Sequence, residues 1–216
     1  MIQEKNIVVI PGDGIGPEVT SAALIILHAA AERTGMKCNC ETHLAGGAAI
    51  DAHGIPLPAE TVAAARAADA VLLGAVGGPK WDSVTPEIRP EKAILGLRKE
   101  LGLFANLRPV KVTAAMSDYS PLKPERVSGV DILILRELTG GIYFGKRCES
   151  ELIDGVEHAW DTEQYSIPEV ERIVRMAFQA AAGRRGKVTS VDKANVLASS
   201  RLWRRTAGKI ASEFPA

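Results

Sequence analysis

Three arginines lie where an α/β protein could bind an acidic ligand. Arg98 falls near the end of a predicted helix, Arg108 lies in a predicted strand, and Arg136 ends the apolar run Ile132–Leu135. A guanidinium at the carboxyl end of a buried strand lies where α/β sheets bind ligands, and its planar fork matches a carboxylate. Each arginine alone is equally consistent with a structural ion pair. Their shared placement predicts a site for a small dianion.

Arg98 shares one face of its predicted helix with Glu91, Ile94 and Leu95. Their spacing of i, i+3, i+4 and i+7 places all four on one stripe. One interpretation is a core stripe with a charged residue at each end. The other is a pocket wall, in which Ile94 and Leu95 hold a small branched apolar group while Arg98 binds an acid. The spacing leaves both interpretations open.

A tyrosine and a lysine are candidates for moving protons. Lys193 is predicted to follow a buried strand directly and to open a helix. Burial would favour its neutral amine, which can act as a base. Tyr143, in the segment Thr139–Gly145, is the matching proton donor. Taken singly, each is more often a lysine that reaches to solvent or a packed aromatic side chain.

The first part of the chain alternates strands with helices. This βαβαβ order is typical of a parallel sheet with helices on both faces, so the fold class is α/β. The connection Gly74–Arg89 is long and rich in turn residues, and such loops are usually functional. The predicted strands are Ile7–Ile10, Lys37–Leu44 and Ala70–Gly74, and the helices are Glu18–Arg33, Pro58–Ala68 and Pro90–Leu101.

The glycine loop Gly12–Glu18 lies between the first strand and the first helix. It has one residue between its second and third glycines, whereas the dinucleotide-binding fingerprint needs two. A tight structural turn is the favoured interpretation. The alternative is a loop whose backbone amides bind a phosphate or a cofactor.

The rest of the chain is predicted to mix extended segments with helices, and a change of domain is placed near residues 102–106. Gly140–Tyr165 has the aromatic and threonine content of extended structure. The predicted strands are Phe104–Thr113, Asp131–Arg136 and Lys187–Val191, and the helices are Pro168–Ala182 and Asn195–Glu213.

The composition is that of an ordinary globular protein, with 216 residues of which 46% are hydrophobic. The 26 basic and 26 acidic residues balance, so nothing in the net charge favours nucleic acid or an anionic membrane surface as a partner. Three cysteines, Cys38, Cys40 and Cys148, are an odd number, which argues against a secreted disulfide framework. No segment is long and apolar enough to span a membrane. We therefore expect a cytoplasmic protein.

These motifs, taken in order, resemble the isocitrate/isopropylmalate dehydrogenase family of β-decarboxylating hydroxyacid dehydrogenases. The resemblance runs from Ile7 to about residue 210. The matching segments are Ile10–Glu18, Gly77–Trp81, Arg89–Glu91, Leu97–Lys99, Leu103–Val110, Arg136–Gly145, Asp161–Thr162 and Ser190–Leu197.

The resemblance implies a two-domain, non-Rossmann fold of three layers with a largely parallel sheet. Residues 1–104 would be the amino-terminal part of the first domain. Residues 105–216 would be a second, dimerisation domain, with a dimer-forming extended arm at about 140–165. It also implies a homodimer with shared active sites.

The resemblance also assigns roles to residues. Arg98, Arg108 and Arg136 would bind the carboxylates of a malate derivative, and Tyr143 and Lys193 would be the catalytic pair, with Lys193 reaching the partner's site. Glu91, Ile94 and Leu95 would line the pocket for an isopropyl group and the nicotinamide. The expected contacts to the NAD cofactor are Gly78, Pro79, Lys80, Trp81 and Glu91.

The expected reaction is NAD-dependent oxidative decarboxylation of 3-isopropylmalate, a step of leucine biosynthesis, assisted by Mg²⁺ or Mn²⁺. An apolar wall at Ile94 and Leu95 cannot offset the desolvation of the third carboxylate of isocitrate. The alternatives are a dehydrogenase acting on D-malate or tartrate, and a catalytically silent fragment that binds a dicarboxylate or a partner chain. The family's metal-binding aspartates would lie beyond Ala216, so we expect no metal site in this chain and no activity from it alone.

Overall fold

Strand β1 (Gln3–Gly12) is the central strand of a three-stranded parallel sheet in a computed structural model that describes residues 3–214. It pairs with β2 (Met36–Thr42) on one side and with β3 (Ala70–Ala75) on the other. The run Val8–Ile10 is buried at every position, as expected for a parallel strand that is covered on both faces. The predicted parallel sheet is confirmed.

Four helices accompany this sheet: α1 (Gly16–Thr34), α2 (Gly47–His53), α3 (Ala59–Ala67) and α4 (Glu91–Glu100). Helix α1 contacts all three strands. Val8 and Ile10, on one face of β1, share a buried cluster with Ala65 of α3 and Leu97 of α4. Val9 points to the opposite face and is also buried. This sheet and its helices form a compact first unit that ends at Gly102.

A second compact unit begins at Leu103, and its strands pair antiparallel. Strand β4 (Ala105–Lys111) pairs with β5 (Asp131–Glu137), and β6 (Arg147–Ile153) pairs with β7 (Val156–Asp161). The helices are α5 (Pro124–Val127), α6 (Ile167–Ala182) and α7 (Ala198–Ala211). Among the described strands, therefore, the expectation of a largely parallel sheet holds only for the first unit.

The core of the second unit lies between α6 and α7. Val170, Ile173 and Val174 recur at helical spacing on α6 and pack with Ala207 and Ile210 of α7. Helix α6 begins with a capping box, in which the Ser166 and Glu169 side chains bond each other's backbone N–H groups. None of the helices between residues 3 and 214 combines the length and the apolar character that a membrane crossing requires.

The prediction of a strand at Lys187–Val191 is wrong. These residues form neither a strand nor a helix, and Val191 is 85% exposed. Val188 and Val191 are three residues apart, so the segment lacks the two-residue alternation of a half-buried strand. The following helix begins at Ala198, three residues later than predicted.

Candidate active site

A cleft of about 270 Å³ opens beside the long loop that follows β3. Three of the predicted cofactor contacts, Gly78, Trp81 and Glu91, lie in its wall. The other lining residues are Asp82, Arg89 and Pro90. The structure thus brings the loop and the first residue of α4 together around one cavity, whose lining includes two acidic side chains and one guanidinium.

The loop is held against α2 by Lys80 and Trp81. Lys80 Nζ lies 2.6 Å from Asp51 Oδ2, and Trp81 Nε1 donates a hydrogen bond of 3.2 Å to Asp51 Oδ1. The Lys80 hydrogen bond lowers the pKa of Asp51 below its usual value. The Trp81 ring lies directly on Gly47, where a Cβ would overlap it. Lys80 therefore anchors the loop, and neither it nor Pro79 lines the cleft.

A buried carboxylate, Asp13, ties three segments of the first unit together. Its oxygens accept hydrogen bonds from the backbone N–H groups of Gly47 at 2.7 Å, Ala48 at 2.7 Å and Gly77 at 2.8 Å. Those amides belong to the start of α2 and to the loop after β3. Asp13 is only 4% exposed. Sequence reasoning missed this role, although an acidic residue directly after a buried strand was a signal.

The glycine loop itself is a tight structural turn. Gly12 has a φ of +73°, and a Cβ there would overlap the carbonyl of Ala75. A Cβ at Gly16 would likewise overlap the carbonyl of Pro11. Only glycine allows the backbone of β1 to approach that of β3 so closely. Within the loop, the Asp13 N–H donates a hydrogen bond of 2.6 Å to the Ala75 carbonyl and the Gly16 N–H donates one of 2.8 Å to the Asp13 carbonyl, so both amides already have acceptors.

The candidate stripe on α4 is not the stripe that packs in the core. Ala93 and Leu97 are the buried residues of this helix, and they lie roughly a third of a turn away from the predicted stripe. Ile94 and Leu95 are half-buried and lie outside the buried cluster of the first unit. Arg98 is half-buried and Glu91 is exposed. This arrangement favours a pocket wall over a core stripe.

Glu91 also lies against the loop after β3. A Cβ at Gly77 would be only 2.8 Å from Glu91 Oε1, and Gly77 has a φ of +100°. A side chain at position 77 would therefore be strained and would displace the carboxylate. Glycine at position 77 therefore leaves the room that the Glu91 carboxylate occupies at the edge of the cleft.

In the second unit, Arg136 and Tyr143 lie together. Arg136 Nη2 donates a hydrogen bond to the Tyr143 hydroxyl, and the guanidinium carbon lies 5.1 Å from the centre of the tyrosine ring. Arg136 is on β5, and Tyr143 ends the single turn Gly141–Tyr143. Two residues that sequence reasoning treated separately thus form one group.

The turn that carries Tyr143 begins at a buried carboxylate, Glu137, which pairs with the half-buried Arg172. Glu137 accepts hydrogen bonds from the N–H groups of Thr139 at 3.0 Å and Gly140 at 2.8 Å, and from Arg172 Nη2 of α6 at 2.7 Å. The Arg172 guanidinium also lies over the Phe104 ring at 4.8 Å. The Glu137 side chain is only 1% exposed. Sequence reasoning missed this pair, since the partners are far apart in the chain.

Arg108 and Arg136 share one face of the β4–β5 pair. Arg136 lies opposite Asn106 and Arg108 opposite Ile134, so the two arginines are on alternate positions of the same face. Arg108 Nε donates a hydrogen bond to the Asn106 side chain. Arg136 lies next to the carboxyl end of β5, whereas Arg108 lies in the middle of β4. The strand-end argument therefore applies to Arg136 alone.

Lys193 lies in the irregular segment between α6 and α7 and is exposed. Its carbonyl accepts hydrogen bonds from the N–H groups of Val196 at 3.1 Å and Leu197 at 3.0 Å. The prediction that it directly follows a buried strand and opens a helix is wrong, because no strand precedes it and α7 begins at Ala198. Lys193 is therefore not desolvated by a preceding strand in this structure.

Among residues 3–214, no group of three or more His, Cys, Asp or Glu side chains is arranged to hold a metal ion.

The first unit is thus an α/β unit with a polar cleft beside the loop after β3, and the second unit places two arginines on one face of an antiparallel strand pair. The chain belongs to the isocitrate/isopropylmalate dehydrogenase family, whose sequence model matches residues 6–216. It is 59% identical over 213 residues to the 3-isopropylmalate dehydrogenase of Bacillus licheniformis. That match covers 98% of this chain and 58% of the relative. The chain thus spans less than two thirds of the length of that enzyme.

Solved structures of the family have the same fold. A β-decarboxylating dehydrogenase from Thermococcus kodakarensis is 35% identical, with a TM-score of 0.71 over 97% of this chain and 55% of that protein. An isocitrate dehydrogenase from Methylococcus capsulatus is 33% identical, with a TM-score of 0.75 over 98% of this chain and 58% of that protein.

Proposed function

We propose that the complete protein is an NAD-dependent 3-isopropylmalate dehydrogenase that acts in leucine biosynthesis. The observation that carries the proposal is the 59% identity, over nearly the whole chain, to an enzyme of that name. The isocitrate dehydrogenase of similar fold is only 33% identical. Identity to the isopropylmalate enzyme is thus much higher across the same part of the fold.

The α4 stripe supports this choice of substrate. Ile94 and Leu95 are half-buried outside the core, so they offer apolar surface for an isopropyl group. Arg98 lies one turn further along the same face. A third carboxylate, as in isocitrate, would lose its hydration against Ile94 and Leu95 without gaining a partner there. We assign Ile94 and Leu95 to the isopropyl group and Arg98 to a carboxylate.

Arg108 and Arg136 would bind the substrate carboxylates in the second unit. They project from the same face of β4 and β5, and each guanidinium can form two parallel hydrogen bonds with a carboxylate. A malate derivative carries two carboxylates. Arginines on two separate strands fit a ligand whose two charged groups lie on different carbons.

The cleft beside the loop after β3 fits part of a dinucleotide. Gly78 contributes no side chain, Trp81 offers an aromatic ring, and Arg89 supplies a guanidinium for a phosphate. NAD bound there would accept the hydride from C2 of the substrate. We assign Gly78, Trp81 and Glu91 to that site and give Lys80 the anchoring role already described.

Tyr143 and Lys193 would move the protons of the reaction. Lys193 would take the proton of the C2 hydroxyl, and Tyr143 would protonate the enolate left after the β-carboxylate departs. The Arg136 guanidinium contacts the Tyr143 hydroxyl, so positive charge lies where negative charge develops as that proton leaves. Because the residues from 3 to 214 offer no cluster of metal ligands, we assign no step to a metal ion. A requirement of the complete protein for Mg²⁺ or Mn²⁺ stays a prediction.

We infer that the protein is a homodimer and that β6 and β7 form the dimer arm. These strands carry Leu152, Ile153, Val156 and Trp160, each at least 45% exposed. Within the described chain, the extensive pairing of β6 and β7 is with each other. A two-stranded hairpin with apolar side chains in water is only marginally stable by itself. A second copy of the chain would cover those side chains.

The test is a reaction of the complete protein with 3-isopropylmalate, NAD and Mg²⁺. We expect NADH, followed at 340 nm, and carbon dioxide in equal amounts. Isocitrate and D-malate are the comparison substrates under the same conditions. Faster turnover of isocitrate, or no turnover of 3-isopropylmalate, would overturn the proposal.

A further inference from the structure

The segment that carries Lys193 is held by one exposed arginine of α7. Arg204 Nε donates a hydrogen bond of 2.9 Å to Asp192 Oδ2, and Arg204 Nη2 donates one of 2.7 Å to Asp192 Oδ1. The Asp192 side chain is only 7% exposed, whereas that of Arg204 is 68% exposed. The Arg204 hydrogen bond lowers the pKa of Asp192, so this carboxylate is ionised at neutral pH. Asp192 immediately precedes Lys193.

Other side chains of α7 hold the backbone on both sides of the lysine. Ser200 Oγ accepts a hydrogen bond of 3.0 Å from the Lys193 N–H. Arg201 Nη1 donates to the carbonyls of Val196 at 3.1 Å and Ala194 at 3.4 Å. Asp192 Oδ1 also accepts from the Ala194 N–H at 3.0 Å. Residues 200, 201 and 204 lie on one side of a helix, so one face of α7 holds the whole segment.

These contacts replace the support that a strand would give. The segment is in neither a strand nor a helix, so no ladder of backbone hydrogen bonds fixes Lys193. The lysine side chain is long and flexible, and only the position of its backbone limits where the ammonium can reach. Of the side chains that hold the segment, Arg204 makes the only two-point contact with a carboxylate that the described residues show here.

We infer that Arg204 is a positioning residue for Lys193, acting through Asp192. The inference rests on the proposed function, since the position of Lys193 affects the rate only if Lys193 transfers a proton. Proton transfer requires donor and acceptor within hydrogen-bond reach, and a displacement of about 1 Å can lower a rate about 100-fold.

The kinetic test compares variants of the complete protein with NAD and 3-isopropylmalate. For Arg204→Gln we expect kcat to fall about 10- to 100-fold, with KM for the substrate unchanged within about threefold, because binding groups are untouched. Arg204→Lys keeps the charge but not the two-point geometry, so it should recover part of the loss. The matched control is Arg205→Gln, since Arg205 is exposed and has no hydrogen bond or ion pair within the described residues. It should keep the wild-type kcat.

A second measurement does not depend on activity. The N–H groups of Lys193 and Ala194 both donate to side chains of this network, so hydrogen exchange reports its integrity. In Arg204→Gln these amides should exchange at least about tenfold faster, while those of α6 stay unchanged. Unchanged exchange at Lys193 and Ala194 would overturn the inference, whatever the activity.

The remaining outcomes separate the inference from the proposed function. A wild-type kcat for Arg204→Gln, in a protein where Lys193→Ala is inactive, would overturn the positioning role alone. A lower kcat together with a lower melting temperature in Arg204→Gln, with no recovery of either in Arg204→Lys, would also overturn it, because this result indicates a general loss of folding. Full activity in Lys193→Ala would overturn the proposed function first, and the positioning role with it.

Discussion

Replacing Asp13 should strongly destabilise the first unit. In Asp13→Ala three backbone amides, those of Gly47, Ala48 and Gly77, lose their acceptor. A buried amide left without a partner costs about 1–3 kcal/mol. Gly47 is fully buried, while Ala48 and Gly77 are half-buried and can reach water in part. The expected loss in the free energy of unfolding is therefore about 3–5 kcal/mol.

The isosteric change Asp13→Asn should cost less. Asp13 Oδ2 accepts from Gly47 and Gly77, whereas Oδ1 accepts only from Ala48. An asparagine can place its side-chain oxygen where Oδ2 lies, so that the Gly47 and Gly77 amides keep their acceptor. Its NH₂ group then faces the Ala48 N–H, and neither of these two donors has an acceptor. One lost hydrogen bond predicts a loss of about 1–3 kcal/mol.

Hydrogen exchange at the buried amides of Val8–Ile10 measures the opening of this unit separately from the rest of the chain. The control is Glu18→Gln, an exposed carboxylate in the first turn of α1, which should leave the exchange rates almost unchanged. The predicted order of destabilisation is Asp13→Ala, then Asp13→Asn, then the control. A loss below about 1 kcal/mol for Asp13→Ala would refute the view that this carboxylate ties the three segments together.

Three further changes test the cleft, the tyrosine turn and the base. Gly47→Ala would displace the Trp81 ring, so KM for NAD should rise severalfold while KM for 3-isopropylmalate stays constant. Equal rises in the two KM values would contradict the assignment of the cleft to NAD. Glu137→Gln leaves the Arg172 charge without its carboxylate. Because the Arg172 side chain is 37% exposed, the free energy of unfolding should fall by only about 2–4 kcal/mol. The shift of the urea midpoint measures this loss, with Glu171→Gln as the control. Lys193→Ala should abolish NADH formation in the complete protein while its circular dichroism spectrum and melting temperature stay unchanged, and a retained rate would exclude this lysine as the base.

The parallel sheet was predictable because its signal is local. The run Val8–Ile10 is apolar at every position, and only a strand covered on both faces needs such a run. The loop after β3 was predictable from its length and its turn residues, whereas its contacts to the cofactor were expected only from the family resemblance. The prediction of a strand at Lys187–Val191 failed because its two valines follow no strand alternation. The segment is instead contacted by α7, where Trp203 Nε1 donates a hydrogen bond to Ser190 Oγ.

Much of the candidate site depends on contacts that the sequence does not reveal. Asp13 binds amides that are 34 to 64 positions away, and Glu137 pairs with Arg172, which is 35 positions away. No periodicity links such partners, so neither carboxylate was singled out. The contact between Arg136 and Tyr143 spans only seven residues, yet it depends on a turn whose shape the buried Glu137 determines. The candidate residues were identified by type and motif, whereas their mutual geometry required the fold.

The most direct test of the proposed function is the ratio of kcat/KM for 3-isopropylmalate to kcat/KM for D-malate in the complete protein. The isopropyl group adds three carbons, and burying each contributes about 0.8 kcal/mol. If Ile94 and Leu95 form its pocket, 3-isopropylmalate should be preferred about 50-fold. A ratio near one, or a higher kcat/KM for isocitrate than for either, would contradict the assignment of this protein as a 3-isopropylmalate dehydrogenase.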